Sequence, residues 1–171
     1  MKFYVVIPAH NEADFIGQTL QSLIGQSLRP TKVVVVDDHS SDSTATIVKT
    51  IAKEHPWISL VANTSSEAHL PGAKIINAFY KGFETLDSEY DVICKYDADV
   101  IFPINYLETL AGHFQKKPKL GMVSGHCYIE QKGTWVLENL TSKEHIRGGL
   151  KAYRNACFLE IGGLKKSMGW D

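Results

Sequence analysis

Val33-Val34-Val35-Val36-Asp37-Asp38-His39-Ser40-Ser41-Asp42 is the stretch whose reading decides the fold. Consecutive β-branched residues with no polar alternation make a strand buried on both faces, the habit of a parallel sheet covered by helices. The polar run behind it reads as a turn, and a helix is expected from about Ser43 to Lys53. Upstream, Tyr4-Val5-Val6-Ile7 repeats the buried-strand pattern. From Asp14 to Leu28 the apolar positions Phe15, Ile16, Leu20, Leu23, Ile24 and Leu28 fall mostly three and four apart, one stripe of a helix that Arg29-Pro30 ends. Downstream, Ile58–Val61, Val92–Tyr96 and Gly121–Tyr128 are expected as strands, with helices over Pro71–Leu86 and Ile104–Gln115. Alternating β and α elements imply right-handed crossovers and a three-layer α/β/α, Rossmann-like fold with a mostly parallel central sheet. Past Tyr128 the alternation fades, and no period is readable to Asp171.

The 171 residues suit one domain, and 44% apolar with 22% charged residues is the balance of a globular chain. A net charge of -1 offers no basic face for a phosphate backbone, so nucleic acid is not expected as a partner. Cys94, Cys127 and Cys157 are odd in number and widely spaced, which argues against both a disulfide framework and a zinc site. A reducing, cytosolic compartment follows. The apolar run Phe3–Ile7 is too short for a signal peptide, and no transmembrane segment is expected in this chain. A membrane-facing acceptor at the inner face stays compatible with that reading.

In an open α/β sheet the ligand lies outside the carboxyl ends of the strands, so loops that follow strands hold the chemistry. Three such loops carry polar or acidic clusters: Pro8-Ala9-His10-Asn11-Glu12, Asp37-Asp38 and Asp97-Ala98-Asp99. Asp97 and Asp99 stand two apart in chain that starts out extended, which turns both carboxylates to one side. Two carboxylates plus water and phosphate oxygens suit Mg²⁺, and Mn²⁺ fits a similar oxygen site. An acidic turn capping the next helix is the plain alternative. Asp37-Asp38 is open to three readings: a solvated helix-capping turn, a carboxylate for a nucleobase or ribose, and the acidic pair of a phospho-receiver. A complete strand and helix before the pair speak against the receiver. For Pro8–Glu12 the plain reading is a Pro-bearing turn with Asn11 as helix cap.

Taken together, Val5-Val-Ile-Pro-Ala-His-Asn-Glu12, Val35-Val-Asp-Asp-His-Ser-Ser-Asp42 and Tyr96-Asp-Ala-Asp99 resemble the family 2 glycosyltransferases of the GT-A fold, with Gly162-Gly163 through Asp171 as a fourth match. The resemblance implies one GT-A domain over 1–171, with 1–100 as the nucleotide-binding part and 101–171 as the start of an acceptor-side part. Because the family's domain normally continues further, truncation at the C-terminus is expected. By that resemblance Pro8, Ala9, His10, Asn11, Glu12 and Asp38 surround the nucleoside, with Asp38 on the base. Asp97 lies near ribose and metal, and Asp99 binds the Mn²⁺ or Mg²⁺ ion of the Asp-x-Asp motif. Asp171 takes the place of the catalytic base. The implied activity is inverting, metal-dependent transfer of a sugar from a nucleotide-diphosphate donor to a hydroxyl of a saccharide or lipid-linked acceptor, in polysaccharide, cell-envelope or glycolipid synthesis.

The pattern is not matched everywhere. Trp170 stands where the family often has Glu, and Tyr80 where an Asn commonly precedes the helix glycine, here Gly82. A sugar nucleotidyltransferase would share the layered fold, but it needs a Gly-rich basic loop after the first strand, and Pro8–Glu12 is neither. A binding module or inactive relative that holds the nucleotide sugar without transferring it remains as the non-enzymatic alternative. Arg154 reads as a solvated Arg or a group facing acceptor or diphosphate, Lys116, Lys117 and Lys119 as the positive end of a helix, and Trp57 and Trp135 as packing residues.

Overall fold

The computed structural model describes residues 1–64, 73–138, 142 and 145–165. Its elements run β1 (Phe3–Ala9), α1 (Ile16–Ile24), β2 (Lys32–Asp38), α2 (Thr44–Glu54), β3 (Ile58–Asn63), α3 (Ala73–Phe83) and β4 (Val92–Tyr96). There follow α4 (Tyr106–Lys116), β5 (Met122–Val123), β6 (Tyr128–Gln131), β7 (Thr134–Leu137), β8 (Leu150–Arg154) and α5 (Asn155–Glu160). The main sheet has the order β3-β2-β1-β4-β8-β5. Its first four strands are mutually parallel, while β8 runs antiparallel to both β4 and β5. The mostly parallel, three-layer expectation is met.

Burial on both faces explains the apolar runs. On one face Val5, Ile7, Val33, Val35 and Cys94 pack with Ile16, Leu20 and Leu23 of α1, Val48 of α2, and Leu107, Leu110 and Phe114 of α4. On the other face Tyr4, Val6, Val34, Val36 and Ile93 meet Ile76 and Phe79 of α3 and Phe158 of α5. Helix α3 seats closely because Gly82 has no side chain: a Cβ there would stand 2.5 Å from Val36 Cγ2 and 2.8 Å from Val6 Cγ1.

Two expectations need correction. Helix α1 is shorter than Asp14–Leu28. Its start is delayed by a turn in which the Glu12 carbonyl accepts from Phe15 and Ile16 N–H, and its end is set by Gly25, whose N–H closes onto Gln21 O. The expected strand Gly121–Tyr128 is two pieces, because the chain leaves the sheet to pack Gly125 against Tyr106, whose hydroxyl accepts from Gly125 N–H at 3.1 Å. Beyond it, β6 and β7 form a hairpin separate from the main sheet, turned by Lys132 (φ 50°) and Gly133 (φ 78°). The proposed start of α3 at Pro71 lies outside the described residues.

Candidate nucleotide-sugar and metal site

The strand order sets the carboxyl ends of β2, β1 and β4 side by side, so the three polar loops share one edge of the sheet. The loops after β1 and β2 are sewn together. Asn11 N–H donates to Ser40 Oγ at 2.9 Å, Ser41 N–H to Asn11 Oδ1 at 2.8 Å, Glu12 N–H to Thr44 Oγ1 at 2.8 Å, and Ala13 N–H to Asp42 Oδ2 at 3.0 Å. Both loops turn on a left-handed residue that is not glycine, Asn11 (φ 55°) and His39 (φ 63°). Such conformations persist only where the surroundings over-determine them. Asn11 is therefore a staple between loops rather than the expected helix cap. The capping of α2 comes from Asp42, whose carboxylate accepts from the N–H and hydroxyl of Thr44 and is held below the usual aspartate range by them.

His10 Nδ1 lies 2.7 Å from the Asp38 carbonyl, which can only accept, so the proton sits on Nδ1. Nε2 is then the acceptor for the Asn11 amide at 3.3 Å. Asp37 and Asp38 part company. Asp38 continues the face of Val34 and Val36, and its Oδ1 accepts from Asn63 Nδ2 at 2.8 Å. Asp37 faces a hollow of about 470 Å³ beside Lys49 and Lys53 of α2, under the opposite face. Only Asp38 of the pair joins the shared edge.

Asp97 follows β4 directly. Its N–H donates to Gly149 O at 3.0 Å, its Oδ1 meets Lys95 Nζ at 2.5 Å, and a Cβ on Gly149 would come within 2.8 Å of its Cγ. Asp99 is exposed. Glu12, from the β1 loop, feels both acids: burial, then the charges of Asp99, Asp97 and Asp42, raise its carboxyl above the ordinary glutamate range. Three carboxylates from two loops thus share one electrostatic field, which a divalent cation would relieve. Hard oxygen donors match Mg²⁺ or Mn²⁺. Among the described residues, no three His, Cys, Asp or Glu side chains are gathered closely enough to hold a metal by themselves. An ion held here must take further ligands from phosphate and water.

Helix α1 holds the acidic loop from beneath. Thr19, fully buried, donates its hydroxyl to Ala98 O at 2.6 Å, Ser22 Oγ accepts from Phe102 N–H, and Gln26 clamps Pro103 O and Leu107 N–H. The sequence reading missed these three residues. Thr19 and Ser22 lie within α1 and Gln26 just past its end, and their partners are backbone groups far away in sequence.

A family model described as "Glycosyl transferase family 2" matches residues 4–163. The chain belongs to glycosyltransferase family 2.

Its fold is GT-A. The family 2 chain is 36% identical over 100 residues to "Probable glycosyltransferase YdaM" of Bacillus subtilis (strain 168), covering 57% of this chain and 23% of that protein. It is 28% identical over 131 residues to the poly-beta-1,6-N-acetyl-D-glucosamine synthase of Staphylococcus epidermidis, covering 75% of this chain and 29% of the synthase. Among solved structures, S. aureus TarS 1–349 superposes with a TM-score of 0.74 at 18% identity, over 99% of this chain and 52% of that one. A mannosyltransferase from Pyrobaculum calidifontis, in complex with GDP-Man and Mn²⁺, gives 0.72 at 21% identity, over 99% of this chain and 49% of that one. The chain spans under a third of both curated relatives and about half of both structures.

Other expected roles resolve differently in this family 2 chain. Arg154 is neither solvated nor aimed at a ligand: Nε donates to Leu120 O at 2.9 Å and an Nη to Phe114 O at 2.8 Å, closing the C-terminal end of α4. Trp57 packs beneath Arg29 and edge-on to His55, as expected, whereas Trp135 is 63% exposed and is no packing residue. Tyr80 has work of its own, its hydroxyl donating to Leu164 O at 2.9 Å and accepting from Leu164 N–H at 2.7 Å beside Gly162 and Gly163. The cysteines are free thiols. Among the described residues no helix is long and apolar enough to cross a membrane. Asp171 and Trp170 lie outside the described residues.

Proposed function

We propose that this chain is the donor-binding part of an inverting, metal-dependent glycosyltransferase. It would move a sugar from a nucleotide-diphosphate donor to a hydroxyl of a saccharide or lipid-linked acceptor, on the cytoplasmic side, in polysaccharide, cell-envelope or glycolipid synthesis. The observation that carries the reading is the parallel strand order that sets the loops bearing Glu12, Asp38 and Asp97 to Asp99 side by side at one end of the sheet. Solved GT-A neighbours titled with UDP-GlcNAc or with GDP-Man and Mn²⁺ give it chemical precedent.

In this reading Pro8, Ala9, His10 and Asn11 form the wall for the nucleoside, and their loop is rigid because the β2 loop holds it. Asp38, steadied by Asn63, accepts from the base. Asp97 and Asp99 hold Mn²⁺ or Mg²⁺, which supplies charge neutralisation on the leaving diphosphate, a Lewis-acid effect worth roughly several kcal/mol. Asp171 is proposed to take the proton from the acceptor hydroxyl as that oxygen attacks the anomeric carbon, help typically worth about 10²–10⁴-fold.

The test is calorimetric titration with uridine, guanosine and thymidine diphosphate sugars, each with and without Mn²⁺. One base should bind, Mn²⁺ should strengthen it, and Asp99→Ala should abolish the gain and cut transfer by about 10²-fold or more. Equal affinity with and without metal would remove the metal role. Donor binding with no transfer would leave the binding-module alternative standing, and activity indifferent to Asp171→Asn would remove Asp171 from the chemistry.

A further inference from the structure

Lys95 is a buried ammonium placed against the acidic motif. The residue is 3% exposed, and its Nζ lies 2.5 Å from Oδ1 of Asp97, whose own side chain is 46% exposed. Directly across the antiparallel β4–β8 pair stands Lys151, 4% exposed, so two lysines come up on one face of the sheet behind the motif. Lysine is almost never buried this fully unless it is paired, as Lys95 is with Asp97, and like charges directly opposite one another oppose strand pairing.

Asp97 is gripped from two sides. Lys95 takes Oδ1, and the carboxylate lies over Gly149, where a Cβ would stand 2.8 Å from Cγ. One oxygen of a carboxylate proposed to hold a divalent cation is thus in contact with a monovalent one. Two cations compete for one carboxylate, and the fixed ammonium repels the arriving ion at short range. A diphosphate changes that balance, since it brings several negative charges and its own ligand oxygens to the same place.

We infer that Lys95 makes cation binding at Asp97 conditional on the donor diphosphate, so that a bare divalent ion is held weakly and the ion–nucleotide pair tightly. The inference rests on the donor-site reading above. Lys95 acts through Asp97 and is a positioning residue. Its removal should therefore improve binding of the metal alone while weakening the cooperation between metal and nucleotide.

The measurement is electron paramagnetic resonance of free Mn²⁺ titrated into the full chain, alone and with uridine or guanosine diphosphate, for wild type, Lys95→Met and Lys95→Arg. Wild type should bind Mn²⁺ at least about tenfold more tightly with the nucleotide than without. The methionine variant should bind Mn²⁺ alone about tenfold more tightly than wild type, with the nucleotide-dependent gain reduced by a like factor, and the arginine variant should keep the wild-type gain. Should the methionine variant fail to fold, Lys95→Gln carries the same test. A wild type with no nucleotide-dependent gain sinks the donor-site reading itself. A wild-type gain that survives unchanged in the methionine or glutamine variant, or bare-metal affinity no higher there, overturns the role of Lys95 and leaves the donor site intact.

Discussion

The strand edge that carries Asn11 and the β6–β7 hairpin both turn on left-handed residues, and they use them to opposite ends. At the strand edge Asn11 and His39 sit in loops tied to each other by side chain–backbone bonds across 28 to 32 residues of sequence. In the hairpin Lys132 and Gly133 form a two-residue turn whose strands, among the described residues, pair only with each other and whose Tyr128 and Trp135 are 56% and 63% exposed. Left-handed backbone in a hairpin is what the strand twist asks for and signifies nothing more. The same backbone held by tertiary bonds at a strand edge marks a surface fixed in advance of its ligand.

That contrast can be broken or sharpened by substitution. The largest effect is expected at Thr19→Val, which leaves the buried Ala98 carbonyl without its donor and should cost about 1–3 kcal/mol in urea unfolding, with weaker Mn²⁺-assisted nucleotide binding. Unchanged nucleotide affinity would mean that α1 does not set the acidic loop. Asn11→Ala removes the staple to Ser41 and should cost about 1 kcal/mol, with a loss of nucleotide affinity that Trp135→Ala does not show.

A smaller effect, with a definite sign, belongs to Glu12→Gln. Because the fold raises the Glu12 carboxyl, its contribution favours the fold at acid pH and is lost as pH rises through the raised value. The glutamine variant, which imitates the protonated side chain, should match wild type in acid and exceed it in thermal stability near neutral pH without metal. A gap that opened in acid instead would show that the carboxylate is stabilised by its surroundings. The smallest effect is expected at Trp135→Ala, within about 0.5 kcal/mol of wild type, since an exposed ring on a hairpin outside the core loses little.

The two regions were unequally legible in the sequence for the same physical reason. Strands β1, β2 and β4 announce themselves because a strand buried on both faces has no use for polar residues, and Val92–Tyr96 was placed to the residue. The Asp-x-Asp motif was legible by its position behind such a strand. The hairpin was not, because strands exposed on both faces carry no alternation, although Lys132-Gly133 was a turn signal within reach. Least legible were Thr19 and Gln26, whose partners are carbonyl groups 79 and 77 residues away and leave no mark on local pattern. Lys95 looked like one more residue of β4 until β8 placed Lys151 opposite it.

Tyr80 gives the paired glycines a mechanical meaning. Its hydroxyl grips both the N–H and the C=O of Leu164, while Gly82, two residues on, is wedged against Val36 and Val6. The turn at Gly162-Gly163 is thereby moored to α3 and, through α3, to the central strands. Residues 162 to 165 are thus tied to the position of α3, and a shift of that helix would be passed on to the glycine turn.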